Sequence, residues 1–114
     1  MYKQGDIWLV DFDPGIGHEY QKVRPALLLE NSNYVSLGNL LTVAPISSQI
    51  QKAGLLDVLI PKNDMNRLIN DSILKTRQIS SFDKRRFIKR IGTCQADVLA
   101  SALQNVVLFL KLDE

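Results

Sequence analysis

On the connection between two apolar runs, residues 7–12 and 26–29, the chain carries an imidazole, a carboxylate and a guanidinium: His18, Glu19 and Arg24. A site that cleaves a phosphodiester needs a proton acceptor, a proton donor and a fixed cation facing the phosphate, and these three side chains can supply them. The same residues also fit an ordinary polar loop. Other chemistries have less to build on. With one histidine, one cysteine and no His-x-x-x-His, Cys-x-x-Cys or clustered Asp pattern, a zinc or two-metal site lacks ligands, and no metal or cofactor is expected. Gly-x-Gly-x-x-Gly and the phosphate-loop pattern are absent as well. Metal-free acid–base chemistry, or binding without catalysis, is what remains.

The elements that must position these groups fit one domain spanning residues 1–114, long enough to bury about two thirds of its unfolded surface. A hydrophobic content of 46% and a charged content of 23% are those of an ordinary globular protein. No apolar run approaches a bilayer span, and the first six residues lead into strand pattern without a signal core. The lone Cys94 rules out an intrachain disulfide and fits a reducing cytoplasm; its expected role is packing. A net charge of +2 and a pI near 8.8 do not by themselves announce a nucleic-acid partner. Residues 83–90, however, gather five cations around Phe87 and Ile88, which reads either as a phosphate-tracking surface or as a solvated face beside a strand.

Residues 7–12 form a β-prone run closed by the turn signal Asp13-Pro14-Gly15, with Trp8, Leu9 and Phe12 expected in the core. Further strands are expected at 26–29, 40–44, 55–60 and 72–74, at Gln78-Ile79, and at 87–91. Short strands with frequent turns and no alternating helices argue for a small antiparallel barrel. Val98, Leu99, Ala102, Leu103, Val106, Val107 and Leu110 recur at helical spacing, predicting an amphipathic helix of about four turns capped by Thr93 and laid on the barrel or on a second copy.

The opening run from Gly5 to Pro14, with Gly17-His18-Glu19 and Arg24-Pro25, resembles the signature of the MazF/PemK ribonuclease toxin family. Ala44-Pro45-Ile46-Ser47-Ser48-Gln49 resembles that family's third-strand exit. Asp71-Ser72-Ile73-Leu74, with Gln78-Ile79 and Asp83-Lys84-Arg85-Arg86, resembles the block before its last strand. The likeness runs in order through nearly the whole chain. It implies an α+β fold, a small antiparallel SH3-like β-barrel with a C-terminal helix. It also implies a homodimeric, cytoplasmic, sequence-specific and metal-independent endoribonuclease toxin that cuts single-stranded RNA, inhibits translation and is neutralised by a cognate acidic antitoxin.

Position by position, the resemblance marks Arg24 as the catalytic arginine, Glu19 and His18 as acid–base groups, and Ser47 at the place of a catalytic threonine. Substrate contacts are expected from Tyr20, Gln21 and Lys22 on the first loop, from Ser48 and Gln49 on the second, and from Lys75, Arg77 and Gln78. Tyr20 is placed to stack on an unpaired base. One departure stands out: some members have an arginine at the position of Lys75 and an acid at that of Arg77, so this chain reverses the charge there. Two other readings stay open on the same resemblance, a gyrase-binding toxin without catalytic residues and a degenerate barrel that holds RNA or an antitoxin without cutting.

Overall fold

A computed structural model describes residues 1–12 and 22–111 of the chain. β1 (Asp6–Asp11) pairs antiparallel with β2 (Val23–Leu28), which in turn pairs with β3 (Leu40–Ser47). β3 then divides its far edge between two partners. β4 (Val58–Ile60) pairs with β5 (Ser72–Leu74), and β5 takes Ile46 and Ser47 of β3. The other partner, β6 (Ser80–Asp83), takes Leu40 to Val43. β7 (Phe87–Thr93) returns to the free edge of β1. Among the described residues no ladder joins β7 to β4 or β6, so the sheet stays open where a closed barrel was expected.

Strand alternation explains why this sheet is buried on both sides. Ile7, Leu27, Ala44 and Ile46 meet Ile60, Leu74 and the helix residues Val98 and Ala102 in one core. Trp8, Val10, Ala26, Leu28, Leu41, Val43 and Phe87 form a second core, with Phe12. An apolar run with no polar alternation, such as 26–29, is what a strand between two cores requires.

The helix α1 (Ala96–Leu110) covers the first core through Val98, Leu99, Ala102, Leu103 and Val106, while Val107 and Leu110 of the expected apolar face are exposed. Thr93 does not cap it. Thr93 is still in β7, paired with Asp6, and Gln95 is the N-cap. Gln78-Ile79, expected as strand, ends a one-turn 3₁₀ helix (Thr76–Gln78), and the strand comes two residues later. No helix is long and apolar enough to cross a membrane.

Two glycines are dictated by geometry. Gly5 sits at φ +93, where its carbonyl accepts the Cys94 N–H at 2.9 Å and ties the chain's start to the strand–helix junction. At Gly92 a Cβ would lie 2.5 Å from the Met65 carbonyl oxygen and 2.8 Å from that of Asn66, so only glycine lets the 61–70 loop lie against β7. Gly92→Ala should therefore destabilise the fold by about 2 kcal/mol, the order typical of overpacking, read as a lowered urea midpoint at unchanged slope.

Candidate active site

Ala26 lies opposite Pro45 in the β2–β3 ladder, and two residues further along each strand stand Arg24 and Ser47, level with one another in the continued register. Both line an open groove of about 830 Å³. Leu9, Pro25, Ile46, Leu68 and Ile91 supply its apolar wall. Its ionisable side chains among the described residues are Lys22, Arg24, Arg67 and Lys89, four cations with no carboxylate between them. The whole chain carries only +2, so positive charge is concentrated here rather than spread evenly.

Arg24 is exposed, and its side chain forms no hydrogen bond or ion pair with a described residue. The Ser47 Oγ accepts the Gln49 N–H at 3.1 Å. A hydroxyl has one proton and two lone pairs, so this contact orients Ser47 and leaves its O–H free to donate. Ser48, Gln49, Gln78 and Lys22 line the same groove. His18, Glu19, Tyr20 and Gln21 lie outside the described residues.

Lys75 and Arg77 stand apart from the groove. The Lys75 ammonium is 2.8 Å from Asp57 Oδ2, which also accepts the Gly54 N–H at 2.7 Å, so this pair fastens the 53–57 turn to the end of β5. Thr76 is fully buried and Arg77 points to solvent. The tight 3₁₀ turn sends three consecutive side chains in three directions, and the reversed charge of the Lys75-Thr76-Arg77 segment therefore falls outside the groove. Leu9, expected in the core, is half-buried and lines the groove instead, because Leu9 is the next residue on the Ile7 face, beyond the edge of the first core.

The five cations of residues 84–90 divide sharply. Lys84 sits 5.7 Å above the Tyr2 ring; Arg85 grips Asp83 through Nε at 3.0 Å; Arg86 donates to the Asp11 carbonyl at 3.1 Å; and Arg90 bonds Asp6 at 3.1 Å. The Arg85 hydrogen bonds hold the Asp83 carboxyl below its ordinary range. Lys89 alone of the five reaches the groove. Arg67, the other cation not foreseen there, stands in the left-handed region at φ 57 within a loop whose only sequence signal is its asparagines. Cys94 is buried, and burial pushes its thiol up to about 11, so it stays protonated and packs as an apolar group.

The family described as PemK-like, MazF-like toxin of type II toxin–antitoxin system matches residues 3–110. The chain belongs to this family. It is 32% identical, over 98% of both chains, to the endoribonuclease MazF9 of Mycobacterium tuberculosis. Its fold matches a MazF crystal structure from Deinococcus radiodurans with a TM-score of 0.82, 26% identity and 96% of both chains covered. A mycobacterial endoribonuclease in complex with its cognate antitoxin shares the fold at a TM-score of 0.80 and 11% identity, over 100% of this chain and 99% of that one. The open sheet with its C-terminal helix is thus the PemK/MazF-like fold.

Within that fold Lys75 is a fastening, not a groove residue. Lys75→Met should leave the Asp57 carboxylate, only 3% exposed, without its counterion. We expect a stability loss of about 2 kcal/mol by thermal or urea unfolding.

Proposed function

We propose that this chain is an endoribonuclease toxin that cuts single-stranded RNA, acting as one domain over residues 1–114. The observation that carries the reading is the pairing of Arg24 and Ser47 at the mouth of a groove whose described ionisable lining is entirely cationic. The 32% identity to a protein named as an endoribonuclease supports the same reading.

RNA brings its own nucleophile. The 2′-hydroxyl already lies beside the phosphorus, so the protein need supply only orientation, proton transfer and charge stabilisation, and metal is unnecessary. Attack forms the 2′-O–P bond and breaks the P–O5′ bond. Glu19 or His18 takes the 2′ proton, and the other group, or water, protonates the departing 5′ oxygen. The products are a 2′,3′-cyclic phosphate, or the 3′-phosphate that its hydrolysis yields, and a 5′-hydroxyl. Extra negative charge collects on the nonbridging oxygens in the transition state. The planar fork of Arg24 meets it with two charge-assisted hydrogen bonds, and the free Ser47 O–H adds a third. Lys22, Ser48, Gln49 and Gln78 contact the flanking nucleotides, and Tyr20 and Gln21 take the substrate-binding roles that the family resemblance implies.

A groove that attracts a polyanion also suits an acidic, disordered antitoxin segment that folds on binding and competes with RNA. A complex of a related-fold endoribonuclease with its cognate antitoxin supports this partner. The exposed Leu108, Phe109 and Leu110 at the end of α1 support a homodimer, which would act in the cytoplasm where RNA is met.

Arg24→Ala should lower the cleavage rate on a long single-stranded RNA by about two to three powers of ten, the usual loss on removing one donor to a developing oxyanion. Wild-type cutting should persist in EDTA and stop when the cleaved nucleotide carries deoxyribose. An Arg24→Ala protein that cuts at the wild-type rate, or a deoxy substrate that is still cut, contradicts the proposal.

A further inference from the structure

We infer that Arg67 and Lys89 form a second phosphate-binding station of the groove, which holds a flanking phosphate of the same RNA strand while Arg24 and Ser47 hold the one that is cut. The inference rests on the RNA-cleaving reading above and adds to it a substrate-positioning pair.

Both side chains line the groove, and neither makes a hydrogen bond or ion pair with a described residue. That sets them apart from Lys84, Arg85, Arg86 and Arg90 nearby, each held by a ring, a carboxylate or a carbonyl. Across the sheet, Lys89 on β7 lies opposite Leu9, and Leu9 lies opposite Pro25, the neighbour of Arg24. Two strand spacings, about 10 Å, therefore separate Lys89 from Pro25 along the sheet. The cations are spread across the width of the groove, as a strand with one charge per nucleotide requires, and not gathered at a single point.

Arg67 is kept in a conformation that its side chain disfavours. A left-handed φ of 57 suits glycine or asparagine and crowds any other Cβ, yet arginine occupies it. The surrounding loop leaves the backbone no choice. Asn63 Oδ1 accepts the N–H groups of Met65 and Asn66, and Asn66 Oδ1 accepts those of Asn63 and Leu68. Asn66 Nδ2 donates to the Pro61 carbonyl, and the Thr93 N–H bonds the Met65 carbonyl at 3.0 Å. The residues on either side of Arg67 are fixed by partly buried hydrogen bonds, and the strain is borne at the loop's one cation that lines the groove. Backbone strain held in place by its surroundings, at the rim of a binding site, is the pattern of a functional residue. An arginine there gives a fork matched to phosphate where glycine would give only ease of folding.

The test uses a fluorescein-labelled single-stranded 2′-O-methyl RNA, which lacks the nucleophile and stays intact, titrated with the full chain at several salt concentrations. Arg67→Gly should weaken binding about five- to tenfold and flatten the log–log salt dependence by about 0.7, the share of one phosphate contact on a single strand. Arg67→Lys should recover most of that slope. Arg67→Gly should melt no lower than wild type, because glycine accepts the left-handed backbone. Unchanged affinity and slope overturn the inference. So does a loss accompanied by a lower melting temperature and not recovered by lysine, or a loss seen only with poly-glutamate as the probe. Cleavage of unmodified RNA by the wild-type protein, measured in parallel, reports separately on the enzymatic reading.

Discussion

The antiparallel ladder between β2 and β3 is the constraint on which the rest of the site depends. Arg24 and Ser47 are 23 residues apart in sequence and belong to different strands. They come level because the Ala26–Pro45, Leu27–Ala44 and Leu28–Val43 pairs fix the register, and the register is fixed in turn by two cores, one on each side of the sheet. A slip of one residue would turn Leu27 and Leu28 into the wrong cores and carry Arg24 away from Ser47 at the same time. Packing and site geometry are the same fact seen from two ends of one strand pair. The edge sharing of β3 extends this: its last residues bond β5, which brings Ser72 and Gln78 to the groove beside Ser47.

Charge is sorted by the fold as strictly as apolar surface. Lys89 apart, the cations of β7 and the turn before it are used locally: Lys84, Arg86 and Arg90 knit the chain's start to its last strand through Tyr2, Asp11 and Asp6, and Arg85 holds Asp83 within the turn. Lys75 is used to hold Asp57. The cations left facing the groove gather on one side of the molecule, against an apolar wall that lowers the local dielectric and strengthens their pull on an anion. A mildly basic protein thereby presents a strongly basic site. That sorting distinguishes Lys89 from Arg90, neighbours in sequence, better than any property of the residues themselves.

Much of this was legible in the sequence. The apolar runs of β1 and β2, the periodicity of α1 and the family-like blocks around Arg24 and Ser47 are local signals, and they led to the right class of fold. What stayed hidden depends on partners distant in sequence. Ser80-Ser81-Phe82-Asp83 lies outside the strands expected from the sequence, yet becomes one because β3 offers it an edge. Thr93 reads as a helix cap, yet stays in β7 because Asp6 pairs with it. Lys75 reads as a groove residue until Asp57, 18 positions earlier, is seen beside it. Arg67 carried no signal at all, since nothing in its type announces a left-handed backbone, and its placement depends on two asparagine side chains and on Gly92, across the loop.

The central claim is that Arg24 and Ser47 act together on one phosphate, and a double-mutant cycle on the RNA cleavage rate tests it most directly. If they share the phosphate, removing the Ser47 hydroxyl from a protein already lacking the Arg24 guanidinium should cost much less than removing it from wild type. Losses that multiply fully in the Arg24→Ala, Ser47→Ala double variant would mean that the two side chains act independently, and would contradict the account.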